Sequence, residues 1–314
     1  MIVVKRNIAQ KYRGQPKIIV AAGSNVLFGI DTKQLSDELE IPVINFGLNR
    51  GLSLKTILDE FGAAVEKNDT LILALEPSYY SKDELGKWRA RNSIAWDRGE
   101  WESMPLLDKI KSIYVLAPSI LLELAEARLE EVLLPKSIEN RLRALDDQAI
   151  LSKFASAPKP LTFAYSAYNL DSLGNLQKID GSQFNGNIDS AEEMIKICHE
   201  SRQLLHSFIS TMAAKDVAVY FANTPYVETN NMNPEKVWDA FMYITNQLAP
   251  LAPVLENESP LILNKRFFFD NDLHLNAEGR NLRTKMLATA IQRNKTFMVR
   301  IQKQRLFSKR KNSF

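Results

Sequence analysis

The sequence predicts a three-layer α/β/α sandwich around a central parallel sheet of about five strands. Two observations predict it. Short runs of apolar, often β-branched residues recur, and they are apolar throughout rather than alternating, as in strands covered on both faces. Between them, apolar residues fall at helical spacing, so strand and helix alternate along the chain. The 314 residues, 45% hydrophobic and 25% charged, suit one large α/β domain.

Residues 17–22 (KIIVAA) are the first expected strand, closed by Gly23. Residues 42–46 (PVINF) are the second, closed by Gly47, and 70–75 (TLILAL) the third, closed by Glu76-Pro77. Residues 217–222 (VAVYFA) precede Asn223-Thr224-Pro225 and form the fourth, with 261–263 a shorter fifth. A helix is expected over 53–66, where Leu54, Ile57, Leu58, Phe61 and Val65 share one face behind Ser53 as N-cap. Further helices are expected over 190–212, 233–248 and 276–292. Residues 78–155 break the alternation and read as a helical insertion after the third strand. Its apolar residues (Ile110, Ile113, Val115 and Leu116, then Leu121, Leu122 and Leu124) must pack on the body or on a partner. Residues 158–186 are turn-rich, with 171–175 a hairpin or loop.

Charge is unevenly placed. The net charge is +3, yet eight basic residues and no acidic ones lie from Arg293 onward, which leaves the first 292 residues at −5. The expected organisation is therefore a single domain, 1–292, and a basic tail, 293–314. Basic segments with interspersed apolar residues dock on anionic membranes or on nucleic-acid phosphates, or stay solvated. A peripheral membrane contact is the expected use here, and no nucleic-acid role is expected. No signal sequence or membrane-spanning run is visible, which points to a cytoplasmic protein. The single cysteine, Cys198, excludes an intrachain disulfide and a zinc ribbon or iron–sulfur cluster held by this chain alone. Walker, GxGxxG, HExxH and EF-hand patterns are absent, so neither a cofactor nor a metal is expected.

Ser24 follows the first strand directly, at the carboxyl edge where open α/β sheets bind ligands. Gly23 permits a tight turn, and a helix N-terminus beyond it offers free N–H groups. The plain alternative is a turn with an N-cap. An alcohol becomes a nucleophile only when an imidazole takes its proton, and that imidazole needs a carboxylate to orient it. His274 sits just before the last helix with Asp270 and Asp272 within four residues, whereas His199 and His206 fall inside one helix. The plain alternative for the His274 loop is helix capping, for which Asn276 is well suited. Glu76 and Asn223 end the third and fourth strands and rim the same edge. There they bind substrate, or Glu76 merely caps a strand end. Tyr79, Tyr80, Trp88, Trp96 and Trp101 follow the third strand and serve either carbohydrate stacking or packing.

Together, Ala22-Gly23-Ser24-Asn25, the stretch VINFGLNRGLSL and the stretch DNDLHLNAEGR resemble the SGNH (GDSL-like) hydrolases, in particular a bacterial branch linked to cell-surface polysaccharide modification. The resemblance covers about residues 17–80 and 217–292. It implies a flavodoxin-like strand order and a triad of Ser24, His274 and either Asp270 or Asp272. It also implies an oxyanion hole from the Ser24 and Gly47 N–H groups with the Asn49 side chain, and an acylated carbohydrate as substrate. Two positions depart from the family pattern. Asn271 stands three residues before His274, where the family has Asp, and Glu76-Pro77 replaces the third-block Gly-x-Asn. These departures support the rival expectation of a non-catalytic SGNH-fold glycan-binding or assembly protein.

Overall fold

The computed structural model describes residues 1–81, 104–114, 147–157, 165–184 and 190–311, with single positions at 116, 118, 186 and 188. Its centre is a four-stranded parallel sheet: β1 (Ile18–Ala22), β2 (Val43–Gly47), β3 (Thr70–Leu73) and β4 (Ala218–Phe221), in the order β2-β1-β3-β4. All four fall where the apolar runs place them. Their residues are buried apart from Ala218, as strands covered on both faces must be. The order is that of the first four positions of a 2-1-3-4-5 sheet, which reverses direction beside β1 and opens a crevice at the carboxyl ends.

The fifth strand is a correction. Ile262–Leu263 (β6) does not join this sheet but pairs in parallel with Tyr226–Val227 (β5). Beside β4 stands only a single bridge, Phe221 to Val254. The residue before Val254 is Pro253, which has no N–H to extend a ladder.

Helices flank the sheet. α1 (Ile2–Gln10) touches α4 (Leu54–Ala64) and α6 (Asp147–Ser156), and α4 touches α7 (His199–Ala214). A second group joins α2 (Ser24–Gly29) and α3 (Thr32–Leu39) to α9 (Ala277–Arg293). α8 (Pro234–Leu248) follows β5 and is capped by Asn233, whose side chain accepts from the Glu235 and Lys236 N–H groups. Ser53 caps α4 by accepting from Thr56 N–H. Residues 171–175 form the expected hairpin turn: Leu170 bridges Leu176, and Leu173 C=O accepts from Asn45 N–H on the edge strand β2. Lys5 reaches the same seam from α1, donating to Asn45 C=O at 2.7 Å and Gly174 C=O at 2.6 Å.

Of the expected insertion, α5 (Leu106–Tyr114) and α6 are described, and both are helical. On α5 Ile110 and Ile113 are exposed, whereas Leu116 is buried. Val115, Leu121, Leu122, Leu124, Trp88, Trp96 and Trp101 lie outside the described residues. Tyr79 and Tyr80 are buried packing residues.

The segment 293–314 differs from a loose tail. Over Lys295–Lys311 it is a helix, α10, which follows α9 after Asn294. Phe297, Ile301 and Gln304, spaced at i, i+4 and i+7, turn one buried face to the body. Phe297 packs on Tyr220 with ring centroids 4.6 Å apart. Arg300 donates to the Asp69 and Asp216 carbonyls, Gln304 to Asn68 C=O and Arg305 to Leu39 C=O. These acceptors precede β3, β4 and β2, so α10 closes the amino end of the sheet. Ile301→Ala is therefore expected to lower the unfolding free energy by about 2–4 kcal/mol in urea titrations. Val299→Ala, on the exposed face, is expected to change it by less than about 0.5 kcal/mol. Equal effects of the two substitutions would remove the docked helix.

Candidate functional site

β1 delivers the chain to the carboxyl edge at Ala22, and Ser24 opens α2 immediately. α2 is short and all six of its residues are buried. Ser24 is its first helical residue rather than its N-cap. The cap position is Gly23, which has no side chain to offer, and a remote carboxylate takes over that task. Glu76, at the end of the β3 segment, accepts from Gly23 N–H through Oε2 and from Asn25 N–H through Oε1, both at 3.0 Å. A Cβ on Gly23 would lie 2.4 Å from that carboxylate, so only glycine fits there. The Asn25 side chain donates to Ala74 C=O at 2.7 Å and to Thr224 Oγ1 at 3.2 Å, which ties the turn to the exits of β3 and β4.

Glu76 is fully buried. Burial pushes its pKa above the ordinary carboxylate value, opposed by the N–H donors and by Arg50. Both oxygens accept from backbone N–H groups, which favours the ionised form against that burial.

At the other end of α2, Phe28 lies one turn after Ser24 on the same helix face. The His274 imidazole stacks on the Phe28 ring, with centroids 3.9 Å apart and planes 3° from parallel. Tyr165 and Phe269 stack on Phe28 as well, at 5.6 and 6.0 Å. The ring of a helical residue leans back over the preceding turn, so Phe28 carries His274 toward the Ser24 end of the helix. The loop holding His274 is closed by a Phe268–Leu275 bridge and by the Phe269 N–H, which donates to His274 C=O at 2.7 Å. Helix capping belongs to Asn276, whose Oδ1 accepts from Gly279 N–H. The imidazole is thus free of that task.

Of the two candidate carboxylates, Asp270 is the one at the ring: its Oδ1 is 2.6 Å from His274 Nδ1. Asp272 instead lines a neighbouring cleft. Asn271 accepts the Leu273 and His274 N–H groups through Oδ1, which turns its Nδ2 toward His274 Nδ1 at 2.8 Å. One ring nitrogen cannot both donate to Asp270 and accept from Asn271. The short contact to Asp270 assigns the Nδ1 proton to that bond and leaves Nε2 as the basic nitrogen. Among the described residues, no hydrogen bond joins Ser24 to His274; both are tied to α2, Ser24 as its first residue and His274 through the Phe28 ring.

Of the oxyanion donors expected beside Ser24, the Gly47 N–H is already engaged. Gly47 N–H donates to Asn45 Oδ1 at 2.9 Å, and a Cβ on Gly47 would sit 2.1 Å from the Leu27 nitrogen. Gly47 is a packing contact between β2 and α2, with its N–H already used. Asn49 Oδ1 accepts from Gly51 N–H in an Asx turn, which leaves its side-chain amide N–H groups as donors. The Ser24 N–H is the donor left between the two that Glu76 occupies. Asn223 is also structural. It donates from its backbone to Glu256 Oε2 at 2.9 Å and from its side chain to Glu256 C=O, and its own carbonyl accepts from Arg283 at 2.8 Å. Arg283 and Glu256 form a buried bidentate pair that pins α9 to the exit of β4.

Sequence reasoning passed over Phe28, Tyr165 and Arg50. Phe28 carries a signal, its i+4 spacing from Ser24. Tyr165 carries none, because it arrives from a turn-rich segment. Arg50 donates to Ser78 Oγ at 3.1 Å and borders a cleft of about 290 Å³ with Ser78, Ser190, Tyr226, Asp272 and Leu273. Among the described residues, no cluster of three or more His, Cys, Asp or Glu side chains is placed to hold a metal. Compared with protein-family models, curated proteins and solved structures, the chain matches none. The resemblance to SGNH hydrolases therefore rests on the motifs alone.

Glu76→Gln has a pH signature. A carboxyl whose folded pKa is raised binds its proton more tightly folded than unfolded, so ionising it costs stability as pH rises from its ordinary value of 4.5 through the raised one. Gln does not ionise. The stability of Glu76→Gln relative to wild type should accordingly improve as pH rises above 4.5 toward the raised value, read from urea unfolding at each pH. A pH-independent difference would contradict this.

Proposed function

We propose that the protein is a serine-dependent esterase or O-acyltransferase acting on an acylated carbohydrate through an acyl-Ser24 intermediate, on the three-layer sandwich of the SGNH hydrolases. The observation that carries this reading is the His274–Asp270 pair stacked on Phe28, one helical turn from a serine at the carboxyl edge of β1. In the proposed reaction, rotation of the Ser24 side chain brings its hydroxyl to His274 Nε2, a contact that is often open in substrate-free sites. His274 takes the Ser24 proton as Oγ bonds to the acyl carbonyl carbon. Asp270 stabilises the imidazolium through Nδ1–H. The Ser24 N–H faces the oxyanion. As the tetrahedral intermediate collapses, His274 returns the proton to the departing sugar oxygen. A water or a second sugar hydroxyl then gives its proton to His274 and attacks the acyl-enzyme, which frees Ser24. The carbohydrate part of the proposal rests on the resemblance alone.

Glu76 acts in this scheme by position. By holding the N–H groups on either side of Ser24 it fixes the turn that presents the hydroxyl. Glu76→Gln would set an amide NH₂ against one of those donors.

A second reading, a non-catalytic glycan-binding or assembly protein, is favoured by one specific observation. The Gly23, Asn25 and Gly47 N–H groups are all occupied by side chains, and a missing oxyanion donor costs roughly 100-fold or more in rate.

Covalent labelling by a fluorophosphonate probe, read by intact mass, separates the two. Wild type should label at one site and Ser24→Ala at none. His274→Ala should slow labelling by about 100-fold or more, and Asp270→Asn by a smaller factor. Asp272→Asn should leave it unchanged. Folded wild type that labels no faster than Ser24→Ala favours the binding protein.

A further inference from the structure

We propose that the outward face of α10 is a docking surface for an anionic lipid bilayer, on the end of the molecule opposite Ser24. The helix has two faces. Phe297, Ile301 and Gln304 are turned to the body. Lys295, Val299, Gln302, Lys303, Leu306 and Phe307 are exposed. These six recur at helical spacing and mix apolar with cationic side chains on one surface. Val299, Leu306 and Phe307 are each about half exposed or more, an unusual amount of apolar surface on a helix already docked by its other side.

Charge supplies the second half of the case. No acidic residue follows Glu278. The arginines nearest the body are spent on it: Arg293 pairs with Glu258, Arg300 with Asp216 and Arg305 with Glu40. Lys295 and Lys303 make no ion pair among the described residues, and Lys309, Arg310 and Lys311 end the helix. A basic cluster is drawn to the negative surface potential of anionic lipid, and exposed apolar side chains then enter the interface. Nucleic acid would use the cations but leaves Leu306 and Val299 without a partner, so the apolar residues favour the bilayer.

Geometry sets the orientation. α10 holds the amino ends of β2, β3 and β4, whereas Ser24 and Glu76 stand at the carboxyl ends of β1 and β3. Strands of four or five residues put roughly 15 Å between the two edges. Docking through α10 turns Ser24 away from the membrane, toward soluble substrates. This orientation holds whether or not Ser24 is a nucleophile.

The test is sedimentation of the full chain with phosphatidylcholine vesicles, with and without phosphatidylglycerol. Binding is expected only with the anionic lipid and is expected to fall at high salt. Lys303→Glu should weaken it about tenfold or more, as should Leu306→Ser combined with Phe307→Ser. An environment-sensitive label at Val299→Cys, in a Cys198→Ser background that keeps the α7 N-cap, should change emission on vesicles. The same label at Glu193→Cys, in the lining of the Arg50 cleft, should not. No binding at low salt overturns the proposal. So does binding unaffected by the apolar substitutions and matched by duplex DNA, which would make the surface a general polyanion site. A label response at position 193 overturns the orientation.

Discussion

The arrangement around Ser24 depends on one buried carboxylate. Glu76 takes the place of an N-cap side chain that Gly23 cannot supply, and it reaches there from a neighbouring strand. Removing an ion of this size from water costs several kcal/mol. Against that stand charge-assisted bonds from Gly23 and Asn25, each worth about 1.5–3 kcal/mol, and the positive end of α2. These terms are of similar size, and the upward direction of the Glu76 pKa says that desolvation wins. The carboxylate is thus a cost to the fold at neutral pH. A buried group perturbed this way beside a candidate nucleophile is a candidate for a site rather than for stability.

The rest of α2 is held from every side by contacts that converge on the same six residues. Asn45 donates its amide to the Val26 and Ile30 carbonyls and takes the Gly47 N–H, so β2 fixes the end of the helix. Gly47 lets the Leu27 backbone approach β2 more closely than any side chain would allow. Phe28 receives His274. A helix this short has little stability of its own. Its geometry is therefore set by the sheet and by α9, and through them the hydroxyl and the imidazole are referred to one rigid frame. The crevice between β1 and β3 is where the strand order reverses, and open α/β sheets bind ligands there because no helix covers it.

How much of this was legible in the sequence follows from the range of each interaction. The four strands were legible because burial on both faces demands unbroken apolar runs. Ser24 and His274 were legible because each stands at the end of such an element. The fifth strand was not, because Pro253 and a two-residue pairing decide it and neither sets up a periodic pattern. Gly47 was misjudged because a side chain two residues away claims its N–H, and nothing in the composition of VINFG announces that bond. The tethering of Asn223 was not legible because its partners, Glu256 and Arg283, are 33 and 60 residues distant. The choice of Asp270 over Asp272 rests on the turn that Asn271 makes by binding two backbone N–H groups. In 293–314 the spacing of Phe297, Ile301 and Gln304 was present but hidden by the density of charge around it.

The two edges of the sheet treat buried charge differently, and the difference bears on chemistry. At the amino edge, Lys17 and Asp69 form a fully buried pair at 2.7 Å, so charge there is cancelled by charge. At the carboxyl edge, Glu76 is met by backbone dipoles and by the more distant Arg50, so part of its field remains. A negative field beside Ser24 opposes an oxyanion but favours an imidazolium on His274. Acyl transfer creates both at once. A site with a residual carboxylate and few free N–H donors stabilises the cationic half of that charge separation better than the anionic half. In the proposed reaction such a site leans on His274 and Asp270 more than on an oxyanion hole.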